Sequence, residues 1–209
     1  MVMPALEKLA QISGSAIAEE FDARNVVSPG SHAELYEFLQ IKNGFYAFES
    51  ALHVFPAKAV APEIGLDDWN SPGLWRSSFG GMTDGCFFFA EDAFGIQFAL
   101  READVCTFDP ETGIQEKFAR DLEGWASLIL EDYNLHAGYP LAHAWQVVHG
   151  RIPVGKRLLP KMPFVAGGAF AVENLYAHDA VQGMLFRAEI AKQIKDLPDG
   201  AKIRFEIED

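Results

Sequence analysis

Cys86-Phe87-Phe88-Phe89-Ala90, then Glu91-Asp92-Ala93-Phe94-Gly95, then Ile96-Gln97-Phe98-Ala99-Leu100 is the stretch of sequence that decides the fold. A short continuous apolar run rich in aromatics, an acidic turn with a glycine, and a second apolar run read as two antiparallel strands. Val105-Cys106-Thr107-Phe108 adds a third strand, and the turn Asp109-Pro110-Glu111-Thr112-Gly113 leads into Ile114, where the chain resumes an extended course. Strands joined by tight turns make an antiparallel meander.

Upstream, Ser31-His32-Ala33-Glu34 has the spacing of a capping box. Leu35, Phe38 and Leu39 then fall on one helical face, and Asn43-Gly44 tolerates the left-handed geometry of a helix end, so a helix is predicted over 31–43. Leu52-His53-Val54-Phe55 before Pro56 reads as a strand, and 61–81, with its prolines, glycines and tryptophans, as a long surface loop. Downstream, Asp121 is placed to cap a helix with Leu122, Trp125, Leu128 and Ile129 at helical spacing.

Beyond Tyr133 the texture changes. Residues 136–165 are rich in Gly, Pro and His and show little periodicity; a strand around Phe170–Tyr176, a helix within 179–195 and a strand Ile203–Ile207 follow. A unit of this size is small for independent folding, so it is expected to pack on the first part and extend its sheet. The expected architecture is α/β (α+β): an antiparallel-rich sheet with a few helices in residues 1–135, and a C-terminal α/β extension, 136–209, packed on it.

Apolar residues make up 49% of the 209 residues, enough to offset ordering entropy by burial and to exclude global disorder. The opening MVMPALEKLAQISG lacks the apolar run of a secretory signal, and no stretch approaches a bilayer span, so the expected location is cytoplasmic with no membrane partner. Two cysteines, Cys86 and Cys106, are too few for a disulfide scaffold and read as buried small hydrophobes. Residues 1–135 carry 8 Lys/Arg against 22 Asp/Glu and residues 136–209 carry 9 against 8, so the first part holds all of the net charge of −13. An acidic surface repels phosphate backbones, which disfavours nucleic acid, and steers basic protein partners.

Motifs for chemistry are absent from the pattern. Gly150-Arg151-Ile152-Pro153-Val154-Gly155-Lys156 fits a phosphate loop until Arg157, which stands where Ser or Thr must hold magnesium, and Pro153 removes a backbone donor. His136, His143 and His149 are spaced by seven and six, not the three or four that put metal ligands on one helical face. No Gly-x-Ser-x-Gly elbow occurs, and neither cysteine has a histidine beside it in sequence. The expectation is no catalytic residue, no metal and no cofactor.

Three stretches together resemble the SUKH superfamily of Smi/Knr-like proteins. They are Leu35 through Phe45 with Leu52-His53-Val54-Phe55-Pro56; Phe88 through Phe98 with its acidic turn and glycine; and Val105 through Gly113 followed by the tryptophan-bearing helix at 121–133. The resemblance spans about residues 30–135, and the 61–81 loop and the extension lie outside its core pattern. It implies a Smi/Knr-like fold used as a non-enzymatic protein-binding scaffold, in bacteria typically an immunity protein that neutralises a polymorphic toxin, many of which are nucleases. The alternative is a housekeeping regulatory or interaction module on the same scaffold. For either, the candidate partner face is acidic with aromatic anchors: Asp67, Asp68, Asp84, Glu91 and Asp92, with Trp69 and Trp75.

Overall fold

A run such as Phe87–Ala90 must be covered on both faces, because alternate residues of a strand point to opposite sides. In the computed structural model, which describes residues 3–20 and 32–197, that is how it lies. Strands β1 (Phe45–Ala47), β2 (Leu52–Val54), β3 (Phe87–Asp92), β4 (Gln97–Arg101), β5 (Asp104–Phe108) and β6 (Gln115–Ala119) form one antiparallel sheet in sequential order. The chain is thus mixed α/β with an antiparallel sheet, as the meander implies.

One face carries helices α1 (Ala5–Ile12), α2 (Ala33–Ile41) and α4 (Leu122–Glu131). There Phe89 and Phe98 meet Trp125 edge-on, and Trp125 meets Phe38 of α2. Asp121 caps α4 by accepting from the Gly124 amide at 2.7 Å, as its position in the sequence predicts. Glu123 in the first turn of α4 accepts from the Ala5 and Leu6 amides, which ties α1 to α4. Helix α2 matches the helix predicted at 31–43; Ser31, the proposed cap, lies outside the described residues.

The opposite face is plugged by the stretch predicted as a surface loop. Residues 61–81 form a short helix α3 (Leu66–Trp69) and a 3₁₀ turn at Arg76–Phe79. Trp69, Trp75 and Phe79 are completely buried, and Trp75 packs on Phe88 and Phe108. The Asn70 side chain holds this segment to β3, donating to the Phe88 carbonyl and accepting from the Phe88 amide, each at 2.8 Å. An apolar strand needs a second cover, and this loop supplies it.

After α5 (Tyr133–His136) and α6 (Tyr139–His149), β7 (Lys156–Pro160) and β8 (Leu175–Asp179) pair with each other, and α7 (Ala180–Ile194) follows. The expectation that this unit extends the main sheet is overturned: it builds its own two-stranded sheet. A backbone bond from Leu158 to the Ala93 carbonyl, 2.9 Å, bridges the two. The strand expected at Phe170–Tyr176 starts later, at Leu175, because a 3₁₀ turn occupies Val172–Asn174. Helix α6 is missing from the sequence reading altogether. Strand Ile203–Ile207 lies outside the described residues. One continuous apolar core links both parts, running from Leu9 and Trp125 to Trp145, Leu158 and Met184. Cys86 and Cys106 are buried in it as free thiols, with Sγ atoms 3.8 Å apart.

Candidate functional site

The seven residues expected to form one partner face divide. Asp67 and Asp68 on α3 and Asp84 in the turn before β3 are exposed. Trp69 and Trp75 are not available as anchors: burying them covers the second face of the sheet, and Trp69 spends its ring N–H on Gln97 Oε1 at 2.9 Å. Glu91 and Asp92, read as turn residues, end strand β3 and are 2% and 7% exposed. Because they are consecutive on a strand, they lead to different surroundings.

Glu91 is enclosed by partners. Its Oε1 accepts from Arg157 Nε of β7 at 2.7 Å and faces His53 Nδ1 of β2 at 3.1 Å; its Oε2 accepts from Gln97 Nε2 of β4 at 3.0 Å. Arg157 also lies over the Tyr46 ring, 5.3 Å from its centroid. Burial alone would push the Glu91 carboxyl up, but Arg157, His53 and Gln97 outweigh it and hold it at about 2. Burial pulls His53 below its usual value despite the carboxylate; because it faces an ionised carboxylate, its Nδ1 is the nitrogen that carries the hydrogen. Both oxygens of Glu91 are engaged by side chains of the fold. It clamps the C-terminal unit to the sheet.

Asp92 is buried without such company. Its Oδ1 accepts from the Phe94 and Ile96 amides, 2.8 Å each, which builds the β3–β4 turn; its Oδ2 has no hydrogen-bond partner among the described residues. Arg187 of α7, a buried cation on the same cleft, gives its Nε to the Gly183 carbonyl and an NH to the Phe94 carbonyl at 2.6 Å, and forms no ion pair among the described residues. Burial pushes the Asp92 carboxyl up to about 7, against the two amides and the charge of Arg187.

These groups line a cleft of about 550 Å³ between the end of the main sheet and the C-terminal unit. Its carboxylates are Asp92, Asp109 and Glu111, and its apolar walls include Leu135, Phe164 and Phe170. Phe164 and Phe170 are stacked with centroids 4.0 Å apart, and Leu135 and Phe170 are each 72% exposed. Two glycines let Phe94 and Arg187 pack close to the backbone beside the cleft. A Cβ on Gly138, at φ +66°, would stand 2.2 Å from the Phe94 ring, and one on Gly95, at φ +79°, 2.6 Å from Arg187. A concave, largely apolar site with a few converging polar groups and a displaced carboxyl pKa is where binding is expected.

The sequence reading singled out Asp92 and missed the rest of this cleft. Arg187 carried a signal, since it occupies the apolar face of its helix with Met184, Ala188 and Ala191, where a solvated arginine does not belong. Leu135 and Phe170 carried none, because isolated apolar residues in loops have no periodicity. The phosphate-loop mimic at Gly150–Lys156 runs into strand β7, with no helix N-terminus to receive a phosphate.

No protein-family model matches the chain, and no curated protein sequence matches it. Among solved structures it is similar to the crystal structure of Atu4351 from Agrobacterium tumefaciens, with a TM-score of 0.57 at 12% sequence identity, over 88% of this chain and 87% of that one. At such identity the likeness shows the fold alone, the mixed α/β architecture described above. The shared portion exceeds residues 1–135, so part of the C-terminal unit belongs to the common fold. Among the described residues no helix is long and apolar enough to cross a membrane.

Proposed function

We propose that this chain is a non-catalytic protein-binding module of the SUKH type, acting in the cytoplasm as an immunity protein that neutralises a basic toxin domain, and that the partner docks on the cleft. The observation that carries the reading is the cleft's composition: two large, exposed apolar side chains, Leu135 and Phe170, beside buried carboxylates that outnumber Arg187 and form no ion pair among the described residues. Exposed apolar groups next to recessed polar ones are the makings of an interface hot spot. The acidity of residues 1–135 supports a basic partner, and exposed Asp67, Asp68 and Asp84 suit long-range steering better than close contact.

The test is protection. The C-terminal domain of the protein encoded immediately upstream is expressed in a sensitive bacterium with and without this chain. Rescue by the native chain, and its loss in the Leu135→Asp/Phe170→Asp variant with an unchanged circular dichroism spectrum, is the expected result. A toxic upstream product that the native chain does not neutralise would defeat the immunity reading for that pair. Rescue retained in the variant would move the interface away from the cleft. Reversing Asp67 and Asp68 to lysine should slow association and flatten its salt dependence while leaving dissociation unchanged.

A further inference from the structure

We infer that the cleft is a receptor for one arginine side chain of the protein partner, its guanidinium held by Asp92 and Glu111 and its stem laid against Phe170. The inference rests on the reading of the cleft as the docking surface, and supplies the chemistry of what enters it.

Charge is the first argument. Asp92, Asp109 and Glu111 line the cleft against a single cation, Arg187, so the lining is short of positive charge. Asp109 is committed within its own turn, its Oδ1 to the Glu111 amide at 2.8 Å and its Oδ2 to Thr112 Oγ1 at 2.9 Å. Glu111 accepts from the Val165 amide through Oε2 at 2.9 Å and is also held by the Phe164 amide, whereas Asp92 uses Oδ1 alone and its Oδ2 keeps its acceptor capacity on the cleft lining. Both residues are more than nine-tenths buried. A carboxylate in that position is costly unless it is neutral or meets a cation with good hydrogen-bond geometry.

Shape is the second. A guanidinium on a three-carbon stem places a planar donor fork at the end of an apolar shaft, which fits carboxylates at the base of a cleft with aromatic and aliphatic walls. The outer face of Phe170 is open to solvent and offers apolar surface for the stem. Arg187 does not make this an anion site, because it is outnumbered and two of its nitrogens already serve backbone carbonyls. A metal ion is disfavoured, since among the described residues no three His, Cys, Asp or Glu side chains converge to hold one.

A pH dependence follows. Asp92 is faced by Arg187 from α7, Asp109 and Glu111 from the β5–β6 turn, Glu91 on its own strand and, at longer range, Arg157 from β7. Burial keeps it partly protonated near neutrality, and an entering cation favours the ionised form. Binding therefore releases a proton and strengthens as pH rises through about 7.

The experiment is an amide NMR titration of the full chain with ethylguanidinium chloride, with its neutral isostere ethylurea, and with sodium acetate. The expected result at pH 8 is saturable shifts at Phe94, Ile96, Glu111 and Val165 with ethylguanidinium alone. Affinity should fall at pH 6, and by about tenfold in Glu111→Gln. Asp92→Asn serves as the second variant should Glu111→Gln fail to fold. Equal shifts with ethylurea, shifts with acetate at these amides, or no saturable shift would each overturn the inference. If Leu135→Asp/Phe170→Asp abolishes partner binding while the probe does not bind, the arginine receptor fails and the docking reading stands. If the probe binds but that variant keeps full partner binding, docking at the cleft fails, and the partner's arginine with it.

Discussion

At the end of β3 two carboxylates sit side by side, both hidden from solvent, and their environments drive them in opposite directions. Glu91 has an arginine, a histidine and a glutamine around it and is held at about 2; Asp92 has two amides and an arginine that forms no ion pair with it, and is pushed up to about 7. Burial is common to both, so burial does not decide the outcome. What decides it is how many donors the fold brings to the oxygens, and whether one of them is charged. A saturated carboxylate fastens two parts of the molecule together, whereas an unsaturated one beside an open cleft is left with capacity for a partner.

The largest effect should come from breaking the saturated site. Arg157→Leu takes from buried Glu91 its arginine counter-charge, leaving only His53 and Gln97, and should cost about 3–5 kcal/mol in urea unfolding at pH 7. Glu91→Gln combined with Arg157→Leu should recover part of that loss, because it removes the stranded charge. A single variant as stable as the native chain would mean that the clamp contributes nothing. The pH profile makes the same point without mutating the arginine. The folded Glu91 carboxyl lies below its ordinary value of 4.5, so the unfolded chain binds the proton first. Its contribution is complete above about pH 4.5 and disappears as pH falls toward 2, amounting to about 3 kcal/mol. Glu91→Gln should flatten that acid limb.

Asp92 runs the other way. Its folded value is raised from 3.8, so the folded chain holds a proton that the unfolded chain has lost, and its contribution to stability falls as pH rises between about 4 and 7. Asp92→Asn keeps an oxygen for the Phe94 and Ile96 amides and removes the charge. It should raise stability by about 1–3 kcal/mol at pH 8, with the gain shrinking toward pH 4. A loss at pH 8 would show that the charge of Arg187 already satisfies Asp92.

How much of this was readable beforehand depends on how far apart in sequence the cause and its effect lie. The meander was legible because each strand and each turn is written locally, in Phe87–Ala90, Gly95 and Asp109–Gly113; the capped helix after Asp121 was legible for the same reason. Helix α6 was hidden by Gly138 and Pro140 at its start and by a narrow contact face, with only Ala142 and Trp145 buried. The 61–81 segment looks like a surface loop by composition, and only the need of Phe88 and Phe108 for a second cover turns its tryptophans inward. Glu91-Asp92 reads as a solvated pair because Arg157, the partner that distinguishes them, lies 66 residues away. Pairings at that range leave no trace in local pattern.

The smallest change in stability should come from the cleft rim, and there it separates binding from folding. Phe170 stacks on Phe164 but is 72% exposed, and Leu135 is exposed to the same degree. Truncating either to alanine removes little area from the core, so unfolding free energy should move by no more than about 0.5 kcal/mol. If the rim anchors a partner, the same substitutions should weaken binding by about 2 kcal/mol, near thirtyfold in Kd. Calorimetry of the purified pair and thermal unfolding of the free chain read the two quantities separately. A variant that loses stability in proportion to binding would mean that Phe170 supports the fold. Unchanged binding at both positions would leave the unsaturated carboxylate without the partner that the comparison with Glu91 assigns to it.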